Sequence, residues 1–122
     1  MTRETSSRPV LLVGGDLNAA ARVEAAARSV GIGYVAVRSG GFVDSMRKHD
    51  PSLVIVDLDE GGEPLLQAIR AELDSGPARS EVIGFFSHVD EGLGRRAAEL
   101  GIKALPRGRF WRELAGLMTG AS

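Results

Sequence analysis

Leu53-Val54-Ile55-Val56-Asp57 is an unbroken apolar run that stops on an acid. Successive side chains of a strand point to opposite faces, so four apolar neighbours need cover on both sides, as inside a parallel sheet. Outward from it, Val10–Val13 and residues 82–86 are apolar in the same continuous way, and Tyr34–Val37 is a fourth run rich in β-branched and aromatic residues. Lys103–Pro106 reads as a short fifth strand.

Helical spacing fills the gaps between these runs. Val23, Ala26, Ala27 and Val30 form one apolar stripe, Leu65, Leu66, Ile69 and Leu73 a second, and Leu93, Ala97 and Leu100 a third. A shorter helix is expected over 42–48, ended by Pro51, and a last one carries Phe110, Leu114, Leu117 and Met118. Strands alternating with helices imply right-handed crossovers, hence an α/β fold: a single doubly wound, five-stranded parallel sheet with helices on both faces. Chemistry in such sheets sits at the carboxyl ends of the strands, which directs attention to residues 14–16, 57–60, 86–88 and Arg107.

The chain has 122 residues, the size of one domain. Residues 1–8 are polar and read as a flexible N-terminal tail, and 9–119 as the domain. The apolar run after the tail is too short for a signal peptide or a membrane span. Net charge is −1 with acids and bases nearly balanced, so no overall field draws the protein to nucleic acid or to an anionic membrane. There is no cysteine, which removes disulfides and thiolate chemistry and suits the cytoplasm.

From Pro9 to Met118 the order and spacing resemble the CheY-like receiver domains of two-component signalling. The likeness rests on Val10-Leu11-Leu12-Val13, on a first helix closing at Val30-Gly31, and on Leu53-Val54-Ile55-Val56-Asp57-Leu58 with Asp57 at a strand tip. Ile69-Arg70 and Glu99-Leu100-Gly101 add to it. The resemblance implies strand order 2-1-3-4-5. It also implies an aspartate, here Asp57, that takes a phosphoryl group from a histidine kinase or a small phosphodonor. In the family a Mg²⁺ ion is held by that aspartate, by acids after the first strand and by a backbone carbonyl. A Thr or Ser after the fourth strand and a Lys after the fifth contact the phosphoryl oxygens. This chemistry is electrostatic positioning, so each missing group matters.

Several are missing. The acid pair after the first strand is replaced by Gly14 and Gly15, with Asp16 one residue on, where it can cap the first helix. The switch position falls on Phe86 when counted without gaps back from Gly101, with Ser87 its neighbour. The lysine position is matched by Arg107, which keeps the charge and changes the geometry. The loop after Asp57 is shorter than the family's. Asp57, Asp16 and Asp59, with Glu60 nearby, are the residues from which a rebuilt cation site would come. A bulky Phe86 packed inward would lock one conformation.

Gly14-Gly15 before a helix resembles an anion-holding turn, which would make the protein a small anion or nucleotide sensor, though the dinucleotide fingerprint is absent. Ser87, His88 and Asp90 contain hydrolase residue types without a nucleophile elbow around the serine. His49, near a helix end, reads as a cap. Arg107, Phe110 and Trp111 form an expected interaction surface for a signalling protein or, in a homodimer, a second copy.

The expected function is therefore a stand-alone degenerate receiver, a phosphorylation-independent protein-interaction module. It is expected to be cytoplasmic and not an enzyme, without cofactor unless a divergent Mg²⁺ site survives. Partners would be a histidine kinase or a downstream effector, with no nucleic acid and no membrane. The alternative is a phosphorelay receiver modified on Asp57.

Overall fold

A computed structural model describes residues 8–75, 80–87 and 91–121. The strands are β1 (Val10–Val13), β2 (Tyr34–Val37), β3 (Leu53–Asp57), β4 (Glu81–Phe86) and β5 (Lys103–Pro106). The helices are α1 (Leu17–Ser29), α2 (Phe42–His49), α3 (Leu58–Asp74), α4 (Glu91–Glu99) and α5 (Arg107–Ala121). All pairings are parallel and the sheet order is β2-β1-β3-β4-β5, as expected.

The continuous apolar runs are explained by their places. β1 and β3 lie inside the sheet and are buried throughout, whereas β2 and β5 are edges and only partly covered. Strand parity then divides the core. Val10, Leu12, Leu53, Ile55, Ile83, Phe85 and Leu105 meet Ala19, Val23 and Ala27 of α1 and Phe110, Leu114 and Met118 of α5. On the other face Leu11, Val13, Val54, Val56, Val82 and Phe86 meet Phe42 of α2, Leu58, Leu65, Leu66 and Ile69 of α3, and Ala97 of α4. The winding reverses between β1 and β3, so Gly14 and Asp57 come together at the carboxyl edge.

Two boundaries differ from the sequence reading. Arg8, assigned to the tail, is tied to the turn before β3: its guanidinium donates to the Asp50 and Pro51 carbonyls at 3.2 and 3.1 Å. Val30 is not in the α1 stripe but caps that helix and is 37 % exposed. Residues 1–7 lie outside the described residues. Among those described, no helix is long and apolar enough to cross a membrane.

Candidate functional site

Asp57 ends β3 and also caps α3. Its Oδ1 accepts from the Asp59 amide at 3.1 Å, which satisfies one of the free N–H groups at the helix start. The first turn of α3 is a separate piece: at Gly62 the backbone has φ 60° and ψ −154°, a region only glycine occupies readily, and Pro64 restarts the helix beyond it. Leu58 anchors this turn. It is fully buried against Gly84 of β4, where an added Cβ would come within 2.8 Å of the leucine side chain. With Leu58 fixed inward, Asp59 and Glu60 stand at the strand tips.

Asp59 Oδ2 accepts from the Ser87 amide at 2.9 Å. Arg107, the first residue of α5, brings Nη2 to 3.4 Å from the same oxygen and to 3.5 Å from Asp57 Oδ2. At these lengths the guanidinium is an ion-pair partner more than a hydrogen-bond donor. Its Cζ lies 4.7 Å from the centre of the Phe85 ring, which holds it in place from the core side. Glu60 faces Arg38 at 3.6 Å. Its carboxylate also overlies Gly14, because a Cβ built there would lie 3.0 Å from Glu60 Oε1 and 3.4 Å from the Asp57 Cβ. Glu60 thus fills the space that a side chain after β1 would take.

The Asp57 carboxyl is raised above its ordinary value of 3.8, foremost by burial. Arg107 and the Asp59 amide pull it down, while the Asp59 and Glu60 charges push it up. Burial wins because the side chain is only 8 % exposed and its one cation stands at 3.5 Å.

The switch assignment needs correction. Asp57 pairs with Phe85, so Phe86 has the opposite parity and belongs to the core face of α2, α3 and α4. Its ring packs beneath α4, where a Cβ on Gly94 would lie 2.6 Å from Cζ. Phe86 does pack inward, as expected, but it does not face Asp57. The strand ends there, and Ser87 is the residue that reaches the site, through its backbone N–H.

The proposed cation trio also fails to assemble. Asp16 turns to its own helix, where Oδ1 accepts from the Ala19 amide at 2.8 Å. Asp57 and Asp59 turn to Arg107. Among the described residues no three acids or histidines converge on a common point. As arranged here, Asp57 and Asp59 each turn an oxygen to a guanidinium and not to a shared cation position.

Gly14 and Gly15 have φ of 78° and 90° and line an open slot of about 170 Å³ with Asp16, Leu17, Ala20, Ala36, Val37 and Arg38. The Gly14 amide is given to the Val37 carbonyl at 2.8 Å and the Ala19 amide to Asp16. These two amides are engaged, and a carboxylate stands at the helix start.

Phe110 is not a surface residue: it is fully buried and stacks on Phe85 at 4.8 Å. Trp111 is half-buried against both rings, with Arg22 of α1 over it at 4.6 Å. Arg107 is drawn into the strand tips. The expected interaction surface is therefore mostly core and site. His88 and Asp90 lie outside the described residues, and His49 is not the cap: it is the half-buried last residue of α2, and Asp50 caps the helix in the left-handed conformation.

No family model and no curated protein matches the chain. Solved structures do match its fold. A response regulator from Thermotoga maritima superposes with a TM-score of 0.74 at 20 % identity, over 93 % of this chain and 97 % of that one. A CheY-like protein from Pseudomonas aeruginosa gives 0.68 at 16 %, over 94 % and 99 %. A response regulator receiver protein from Burkholderia phymatum gives 0.65 at 23 %, over 92 % and 96 %. The fold is that of the CheY-like receiver domains over nearly the whole chain.

Proposed function

We propose that the protein is a response-regulator receiver of two-component signalling that works without phosphorylation, as a protein-interaction module. The observation that carries this is the pairing of Arg107 with Asp57 and Asp59 at strand tips where Gly14 and Gly15 stand in place of the family's acids. Phosphoryl capture needs a metal to neutralise the developing charge, and here the carboxylates that would hold it are paired with Arg107. The Asp57 side chain is also only 8 % exposed, which restricts the approach of a phosphodonor.

In this reading the domain has no catalytic activity of its own and needs no cofactor. Its conformation is set by packing, above all by Phe86 under α4, and by the proteins that bind it. Those are cytoplasmic signalling proteins, a histidine kinase or an effector, or a second copy of the chain. Neither nucleic acid nor membrane is a partner, in keeping with the balanced charge.

Incubation with acetyl phosphate and Mg²⁺, followed by intact-mass measurement, tests the reading. The protein should remain unmodified. A stable fraction carrying one phosphoryl group, absent from Asp57→Asn, would instead make it a phosphorelay receiver.

A further inference from the structure

We propose that Asp59 is a built-in anionic strut, occupying an oxyanion position formed by the Ser87 amide and the Arg107 guanidinium. The inference rests on reading the strand tips as the functional end of a receiver fold, and not on whether Asp57 is modified.

A hydrogen-bond donor and a cation that follow different strands converge on one oxygen. The Ser87 amide follows β4 and Arg107 follows β5, and both approach Asp59 Oδ2, at 2.9 and 3.4 Å. A backbone N–H and a guanidinium aimed at a single point, beside an aromatic face that steadies the cation, are the parts of an oxyanion-holding site. The point is filled by a carboxylate of the same chain. Asp59 is delivered there by its neighbours, since Leu58 is locked under Gly84 and the Gly62 break lets this single turn sit apart from the rest of α3.

Charge makes the occupant self-sufficient. Asp57, Asp59 and Glu60 face Arg107 and Arg38, so with Asp59 present the tips are already rich in negative charge and repel a further anion. Without Asp59 the remaining acids and guanidiniums balance, and the Ser87 amide and Arg107 lose their shared oxygen. The consequence is that β3, β4 and β5 are held together at this end as a bound tetrahedral anion would hold them, with no ligand present.

The test compares the wild type with Asp59→Asn and Asp59→Ala by amide and Arg Nε NMR in chloride buffer, then during titration with inorganic phosphate without Mg²⁺. Asp59→Asn is nearly isosteric and keeps the fold measurable. Its Ser87 amide should exchange with solvent at least ~10-fold faster, the loss expected for one charge-assisted bond. In Asp59→Ala, phosphate should move the Ser87 and Arg107 signals in a saturable way, while the wild type stays still at matched ionic strength. The proposal is overturned if Ser87 and Arg107 are indifferent to both substitutions, or if phosphate moves the wild type as much as Asp59→Ala. Labelling of Asp57 by acetyl phosphate would overturn the phosphorylation-independent reading and leave this one standing.

Discussion

Asp57 is a carboxyl whose burial outweighs its one cation, and that fixes the sign of a pH effect. Its folded value lies above 3.8, so near that pH the folded chain keeps a proton that the unfolded chain has released. Stability contributed by this group is therefore greatest in acid and falls as pH rises from 3.8 through the folded value. Asp57→Asn should lack this fall, and its stability relative to wild type should grow across that window in urea titrations at stepped pH. A constant difference would mean that Arg107 cancels the burial. Phe86 supports a second prediction. A Cβ at Gly94 meets its ring at 2.6 Å, so Gly94→Ala should destabilise the wild type by about 1–2 kcal/mol. In a Phe86→Ala background the ring is gone and helix propensity decides, so the same change should stabilise by about 1 kcal/mol. Sequence counting placed Phe86 at the switch because pairing register is invisible in one chain: only the match of Asp57 with Phe85 reveals which face Phe86 takes.

Among the elements, the first turn of α3 matters most to the site and was the least legible. Leu58–Gly61 carries no helical periodicity, and Gly61-Gly62 reads as plain loop. Residues 10–13 and 34–37 were legible to the residue because apolar and β-branched runs have few other homes, whereas Lys103-Ala104-Leu105-Pro106 was placed only by the alternation of strands and helices. Asp59 and Glu60 were visible as nearby acids, but not their targets, which depend on the break at Gly62. With φ 60° and ψ −154° there, Gly62→Ala should cost about 1–3 kcal/mol in chemical denaturation and shift the Ser87 amide as Asp59 moves. An unchanged Ser87 signal would separate the break from the site.

Across the whole molecule, the two ends of the chain's order are clasped: α1 and α5 share one face of the sheet, and Arg22 of the first lies over Trp111 of the second. Arg22→Ala should cost about 0.5–1 kcal/mol and raise the solvent exposure of the tryptophan, read as a red shift of its emission. Helical spacing put Phe110 on the apolar stripe of the last helix, whereas only the packing shows its neighbour Trp111 as a half-covered flank under Arg22.

Strand tips whose carboxylates are already paired with Arg107 should need neither metal nor phosphoryl group. The most direct measurement is an amide NMR titration with Mg²⁺ and then beryllofluoride, which stands in for a phosphoryl group, on the wild type and on Asp57→Asn. The signals of residues 57, 87 and 107 should stay in place in both proteins. Saturable shifts around those residues in the wild type, absent from Asp57→Asn, would contradict the phosphorylation-independent reading.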